Sequence, residues 1–176
     1  MRRFLNIALR LHIAYFLAEV MANPHDRRFA GKAIPVRNLV VVGGLSLLFP
    51  ALHLFRRRWS SYPWGLDSLY LSIFWLDMAG NSFDLYDRHR DFDLIPHFHG
   101  TGALAVACRA ALGLSDEDAF RLTNVIHGLL ELQENLTDVF FGTHNVRGHI
   151  DTIRDLTAGL VGSVAYLALL RLVGRR

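Results

Sequence analysis

The stretch HGLLELQENLTD, residues 127–138, carries four ionisable side chains at helical spacing. His127, Glu131, Glu134 and Asp138 stand at offsets of 0, 4, 7 and 11 residues. At 100° per residue they stay within about 60° of one another, so a helix presents them as one stripe. Imidazole and carboxylate groups transfer protons and bind cations. The stretch therefore predicts a helix with one chemically active edge and other faces rich in leucine.

Other segments carry the same kinds of group. Asp77 and Asp84 lie seven residues apart in DMAGNSFD, and Asp151 and Asp155 lie one helical turn apart in DTIRD. The run IPHFHG places His97 near the start of a further segment. The second histidine of that run would point about 200° away on a helix, so it is not a candidate.

Six apolar segments position these groups, and they predict an all-α, polytopic integral membrane helical bundle of about six transmembrane helices in a single domain, 1–176. The segments are 4–22, 38–55, 66–83, 95–113, 117–141 and 153–173. The second runs without a formal charge for the length that crosses a bilayer core, and Pro50 within it predicts a kink. The other five contain charges, so the membrane prediction depends on the set as a whole. The alternative is a soluble helical bundle, but 38–55 leaves no polar face for water.

Two local patterns support helices in the second half of the chain. Ser115, followed by three acidic residues, predicts a helix N-cap with an acidic first turn. In the last segment Ala158 with Gly162, and Gly159 with Ser163, place small residues four apart. Such spacing predicts close packing against a neighbouring helix.

The alternation of six spans brings the polar groups together whichever way the chain is oriented. The end of the third segment, the start of the fourth, the end of the fifth and the start of the sixth must share one membrane face. A charge at the bilayer centre costs about 2.5–3.5 kcal/mol on insertion scales, so such side chains face the bundle interior or a wet cavity. The sequence therefore predicts one polar site at one face of the bundle.

Crowded carboxylates repel one another unless they are protonated, paired with arginine or bound to a cation. In the metal-site hypothesis the candidate acid–base catalytic residues are His97, Glu131 and Glu134. The candidate metal ligands are Asp77, Asp84, Asp138, Asp151 and Asp155, with Glu131 also able to hold the ion. The expected cofactor is a divalent ion, Mg²⁺, Mn²⁺ or Ca²⁺, or Zn²⁺ if His97 and His127 contribute. Such an ion could activate water or hold a polar lipid headgroup in cell-envelope metabolism.

Two other hypotheses stay open from the residues alone. The acidic network could be structural, with its carboxylates paired to Arg88, Arg90, Arg147 and Arg154. It could also belong to a non-enzymatic membrane component that carries a small solute or protons. The residue pattern does not decide whether the protein is an enzyme, and it leaves the oligomeric state open.

Arginine supplies 18 of the 19 basic residues. Clusters such as Arg56–Arg58 and Arg175–Arg176 flank apolar segments instead of following one face, which favours a lipid bilayer over nucleic acid as the partner. A slight excess of arginine on one side predicts cytoplasmic N- and C-termini in a multi-pass protein of the inner (plasma) membrane. Arg10 interrupts the first apolar run, which predicts a retained helix instead of a cleaved signal. The single cysteine, Cys108, excludes an internal disulfide.

The order of three motifs resembles the YjdF-like family of uncharacterised bacterial inner-membrane proteins and, more distantly, the VanZ-like pattern. The motifs are DMAGNSFDLYDRHRDFDLIPHFHG, HGLLELQENLTDVFFGT and DTIRDLTAGLVGS, which together span about residues 77–163. The resemblance implies these motif positions: Asp93 with His97, Glu131 with Glu134, Asp151 with Thr152, Asp155 with Leu156, and Gly159 with Gly162.

One departure limits what the resemblance implies. Glu134 stands where the VanZ-like pattern has glutamine, so the link of that pattern to glycopeptide resistance does not transfer. The YjdF-like family has no established activity. The resemblance therefore implies a fold and a location in the inner membrane, and it implies no reaction.

Overall fold

The computed structural model describes residues 1–30, 32, 34–56, 59–144 and 146–174. Helices account for 82% of the residues and no strand occurs within the described ranges, which confirms the all-α prediction. Arg57, Arg58, Arg175 and Arg176, which the sequence places beside apolar segments, lie outside the described residues.

The chain divides into two compact units, Met1–Phe83 and Asp84–Arg176. The first unit contains α1 Arg2–Ala22, α2 Ile34–Arg37, a π-helical turn Asn38–Val42, α3 Gly43–Ser46, α4 Leu48–Arg56, a 3₁₀ turn Trp59–Ser61 and α5 Trp64–Ser82. The second unit contains α6 Leu85–Arg88, α7 Leu94–Leu112, α8 Asp116–Phe141 and α9 His149–Gly174.

In the first unit α1 and α5 run parallel. Near their starts Asn6 Nδ2 donates to Asp67 Oδ2 at 2.8 Å, and near their ends the rings of Phe16 and Phe83 meet edge to face. The buried apolar residues of α1 recur every three or four positions, which is the pattern that places one helix stripe against a partner. The core between the elements of this unit consists of Leu9, Ile13, Phe16, Val42, Leu71, Met78 and Ala79.

The predicted second span, 38–55, is broken. Its two halves meet at Leu47 with a bend of 44°. Pro50, three residues further on, causes this bend, since proline lacks an N–H and its ring clashes with the carbonyl four residues earlier. That carbonyl belongs to Ser46, and it accepts a hydrogen bond from Arg10 Nη1 at 2.9 Å. A side chain of α1 therefore satisfies the backbone group that the proline leaves without a partner.

In the second unit α7 and α9 run parallel and α8 runs antiparallel to both. His99 of α7 meets Tyr166 of α9, with Nδ1 and the hydroxyl oxygen 2.7 Å apart. Asn124 of α8 donates to Ser163 of α9 at 3.0 Å. The start of α7, the end of α8 and the start of α9 therefore lie at the same end of the unit, as the alternation of spans predicts.

The ends of α8 follow its sequence signals. The Ser115 side chain accepts a hydrogen bond from the Asp118 N–H at 3.0 Å, which confirms the predicted N-cap. Gly142 closes the helix in the left-handed region at φ 65°, where a residue without a Cβ avoids strain. This helix turns an apolar face outwards, with Leu129, Leu132 and Leu136 all exposed.

Two helices, α1 and α9, are long and apolar enough to cross a membrane. The bent pair Asn38–Ser46 and Leu48–Phe55 makes a third if it is counted as one span. The other long helices, α5, α7 and α8, do not meet this test over their described residues. In α5, for example, Asp67 and Asp77 lower the mean hydropathy. The structure therefore gives two or three candidate spans, and the count of six stays a prediction.

Candidate functional site

His97 joins two groups of ligand-type side chains in the second unit, with one ring nitrogen facing each group. Its Nδ1 lies 2.8 Å from His127 Nε2 and 3.3 Å from Glu131 Oε1. His127 Nε2 lies 3.5 Å from the same Glu131 oxygen. One nitrogen or oxygen atom from each of these three residues therefore faces a common centre. We call His97, His127 and Glu131 the three-residue cluster.

The other ring nitrogen of His97 faces Asp93, and Asp155 lies near the same two residues. Nε2 lies 3.4 Å from Asp93 Oδ1, and Asp93, His97 and Asp155 each offer a ligand atom within 4.8 Å of the others. Asp93 is the N-cap residue of α7, and Asp155 lies in the second turn of α9. These positions meet because the two parallel helices start at the same end of the unit.

Several polar atoms around His97 are buried without a hydrogen-bond partner among the described residues. They are His127 Nδ1, Glu131 Oε1 and Asp155 Oδ1, and their residues are only 3–5% exposed. Glu131 Oε1 lies close to both imidazoles, but neither contact has hydrogen-bond geometry. A buried polar atom left without a partner costs about 1–3 kcal/mol, and more if it is charged. The arrangement therefore favours a ligand that would interact with these oxygens.

The spacing of the three-residue cluster suits a tetrahedral metal ion. Zn–N and Zn–O bonds of about 2.0–2.2 Å place ligand atoms roughly 3.3–3.6 Å apart in a tetrahedron. The two histidine–glutamate distances of 3.3 and 3.5 Å match this spacing. The two ring nitrogens, at 2.8 Å, would have to separate by about 0.5 Å. Two imidazoles and one carboxylate would supply three protein ligands, the number that catalytic zinc sites use.

Glycines of α9 allow the helices of the site to approach closely. A Cβ added at Gly159 would lie 2.3 Å from two ring atoms of His127 and 2.7 Å from Thr101 Oγ1. A Cβ at Gly162 would lie 2.0 Å from the Phe98 carbonyl oxygen. The close packing predicted from these small residues is confirmed, and at Gly159 it holds a ring of the candidate site.

The structure does not bring the other predicted residues into this cluster. Asp77 lies in the first unit, where both of its carboxylate oxygens accept from Arg37 Nη2, at 2.9 and 3.2 Å. Asp84, in the left-handed region at φ 61°, pairs with Arg88 at 3.3 Å. Both predicted ligands therefore have an arginine as a neighbour, although for Asp77 it is not one of the four that the sequence suggests.

Two more predicted ligands support the connection between α8 and α9. Asp138 accepts from the Thr143 hydroxyl at 2.6 Å and from the Val146 N–H at 2.8 Å. Asp151 accepts from the Arg147 N–H at 3.0 Å. Glu134 is half-buried one turn beyond Glu131, and it lies outside both ligand groups found among the described residues. Of the predicted site, His97, Glu131 and Asp155 are the residues brought together.

Arg154 marks the solvent-facing edge of the site. It donates to Asp91 Oδ1 at 2.6 Å, and the Asp91 side chain is 69% exposed. This hydrogen bond lowers the pKa of the Asp91 carboxyl below its ordinary value. The arginine is therefore paired with a carboxylate at the surface, whereas Glu131 of the three-residue cluster and the neighbouring Asp155 are buried.

The sequence indicates two residues of the site only weakly. His127 belongs to the predicted stripe and is an expected ligand only for Zn²⁺, and Asp93 is indicated by the resemblance alone. The available signal was the i, i+4 spacing of Asp93 with His97 and of His127 with Glu131, which places each pair on one helix face.

Sequence reasoning also missed a second buried polar cluster, in the first unit. Asp67 is fully buried, and its Oδ2 accepts from Asn6, Arg10 and Tyr62 at 2.8, 2.5 and 2.5 Å. Asn6 and Arg10 lie one turn apart on α1, and Ser68 Oγ lies 3.4 Å from Asn6 Nδ2. Arginine and carboxylate are already paired here, so this cluster has a structural explanation.

Comparison of the chain with protein-family models, with curated proteins and with solved structures found no match.

Proposed function

We propose that this protein is a multi-pass inner-membrane protein of about six spans that binds one divalent cation at its three-residue cluster. The observation that carries the proposal is the convergence of His97, His127 and Glu131 around one point, with a buried Glu131 oxygen that has no hydrogen-bond partner in the described structure. The two or three apolar helices support membrane association. Membership of the YjdF-like family is part of the same proposal, and the meeting of Asp93, His97, Glu131 and Asp155 supports it.

The donor set favours zinc among the ions expected from the sequence. Imidazole nitrogen suits Zn²⁺, whereas Mg²⁺ and Ca²⁺ prefer oxygen ligands throughout. Asp93 lies beside the Nε2 of His97 and would orient the ring for binding through Nδ1, as carboxylates do beside metal-bound histidines. A bound ion at this site would lower the pKa of its water and polarise an oxygen of a bound headgroup.

The buried carboxylate of Asp155 would then have a defined task. Its Oδ1 is buried without a partner among the described residues, and the carboxylate offers a ligand atom within 4.8 Å of one on His97. From that position it would accept a proton or orient the ring, and it would do so without itself holding the ion.

Metal content of the purified full-length protein tests the proposal. We expect about one zinc per chain after extraction in detergent and dialysis against trace zinc, and loss of that zinc in His127→Ala and Glu131→Gln. His99→Ala is the matched control, because His99 lies on α7 two residues from His97 but contacts Tyr166. Absence of stoichiometric metal in the wild type, or equal metal in all variants, would overturn it.

A second candidate is a non-enzymatic membrane component in which the acidic residues are structural. It is favoured by the partners of Asp77, Asp84, Asp138 and Asp151, which are arginines or loop donors. Under this hypothesis His127→Ala and Glu131→Gln lower stability in detergent to the same extent with and without added zinc. Under the cation proposal zinc stabilises the wild type alone, by mass action on the folded state.

A further inference from the structure

An open groove of about 570 Å³ runs between α7 and α9 in the second unit. Leu94 and Phe98 of α7 face Ile153 and Val161 of α9 across it, and its polar lining comes from Arg154 and Thr157. Binding sites for small molecules have this size and this mainly apolar character with few polar groups. The groove therefore has the features of a site for an elongated, mostly apolar molecule.

The groove changes character along its length. Arg154 lies near the start of α9, and Val161 lies seven residues further on, which is about 10 Å along the helix. Leu94 and Phe98 follow the same direction from the start of α7, because the two helices are parallel. The cationic end of the groove therefore lies at the end of the unit where the helices begin, and the apolar end lies deeper.

The helix that forms one wall is apolar enough to cross a membrane. Ile153 and Val161 are 62% and 50% exposed, so this wall opens outwards, where hydrocarbon would surround a membrane-spanning α9. The polar end would then lie at the level of lipid headgroups. A molecule with an anionic head and an apolar tail matches both ends of the groove.

Arg154 is placed to receive an anion. Its pairing with Asp91 is exposed on the carboxylate side, and exposed ion pairs contribute little to stability because water screens them. Guanidinium binds phosphate through two parallel hydrogen bonds, which are among the stronger charge-assisted ones. A phosphate could therefore replace or share the Asp91 contact at small cost.

The groove and the cation site share their helices. His97 and Phe98 are neighbours on α7, and Arg154 and Asp155 are neighbours on α9. We propose that the groove binds one acyl chain of a bilayer phospholipid, with the lipid phosphate on Arg154 and the headgroup directed towards the three-residue cluster. This inference deepens the proposed function, on which it rests for membrane insertion, by naming phospholipid as the class of molecule presented to the cation site.

Photochemical labelling of the full-length protein in nanodiscs tests the inference. The probe is phosphatidylglycerol with a diazirine on one acyl chain, at low mole fraction in phosphatidylcholine, with the labelled peptides mapped by mass spectrometry. We expect label on the groove faces of α7 and α9. Val161→Trp should fill the groove and reduce this label about tenfold, the change that roughly 1.4 kcal/mol of binding produces. Leu160→Trp is the matched control, since Leu160 is the adjacent residue, is similarly exposed at 48% and does not line the groove.

Two charge variants test the headgroup contact in opposite directions. Arg154→Gln should reduce labelling by phosphatidylglycerol about tenfold, the loss expected for one charge-assisted hydrogen bond. Asp91→Asn removes the competing carboxylate and should increase labelling. Equal labelling in Val161→Trp and Leu160→Trp, or no response to either charge variant, would mean that only non-specific surrounding lipid is detected and would overturn the inference.

Two further variants keep the outcome interpretable. Ala158→Phe fills the same groove from another position and replaces Val161→Trp if that variant does not fold by circular dichroism. His127→Ala should lose zinc and keep the label, because His127 does not line the groove. Labelling without metal therefore refutes only the cation site, and metal without specific labelling refutes only the groove.

Discussion

Replacing Gly159 with alanine should weaken cation binding without substituting any candidate ligand. The added Cβ would lie 2.3 Å from Nδ1 and Cε1 of His127, whereas ordinary contact begins at 3.4 Å. The ring must therefore move by about 1.1 Å, or α8 and α9 must separate by that amount. Metal–ligand distances tolerate about 0.2 Å, so the displaced His127 Nε2 leaves the position that binding requires. We expect zinc affinity to fall at least tenfold, in the range of about 10–100-fold seen when an outer-shell partner is lost.

Zinc titration of the purified protein with a competing chelator measures this effect. Gly128→Ala is the matched control: the residue follows His127 on α8, and an added Cβ there meets nothing within 4 Å. Alanine in an open helical position should leave zinc affinity unchanged and raise stability by up to about 1 kcal/mol. Wild-type zinc affinity in Gly159→Ala would refute the reasoning, since it would show that the position of the His127 ring does not control binding.

Other variants test the framework around the site. Gly162→Ala places a Cβ 2.0 Å from the Phe98 carbonyl oxygen, which is backbone, so α7 and α9 must separate, and unfolding free energy in detergent should fall by about 1–3 kcal/mol. Asp67→Ala leaves the Arg10 guanidinium without its buried partner and should cost about 3–5 kcal/mol in the same assay, less to the extent that Arg10 reaches solvent. Hydrogen bonds from Arg171 and Arg109 lower the pKa of Asp116 from its ordinary value of 3.8. The stabilisation that ionised Asp116 gives the fold is therefore present above pH 3.8 and is lost as the pH falls through the folded-state pKa. Asp116→Asn should therefore weaken the acid dependence of thermal stability below about pH 4, and an unchanged pH profile would contradict this assignment.

The second unit was more predictable than the first because its signals are local. The N-cap at Ser115, the stripe on α8 and the small residues of α9 each lie within one helix, and helical geometry converts such spacing directly into shared faces. The alternation of spans then places the start of α7 beside the end of α8. Sequence could therefore find His97, Glu131 and Asp155 as one site.

The choice among carboxylates could not be made from the sequence. Asp138 and Asp155 are alike as residues at helix ends, yet Asp138 accepts donors from the following loop and Asp155 is buried with an oxygen that lacks a partner among the described residues. That difference depends on where loop N–H groups and distant arginines fall in three dimensions. The pairing of Arg37 with Asp77, across 40 positions of the chain, has the same origin.

The contact between Arg10 and the Ser46 carbonyl has a consequence for how the chain enters a membrane. Arg10 lies near the middle of α1, where a lone charge makes insertion less favourable by about 2.5–3.5 kcal/mol. Its only carboxylate partner among the described residues, Asp67, is synthesised 57 residues later, and the Ser46 carbonyl that also accepts from it is synthesised 36 residues later. If the protein inserts into a membrane as we propose, α1 would carry an uncompensated cation there until α4 and α5 have been synthesised. A truncated chain that ends before Asp67 should insert poorly into the bilayer, whereas a chain that ends after α5 should insert stably. The helices of the first unit would then enter the membrane as a group and not one at a time.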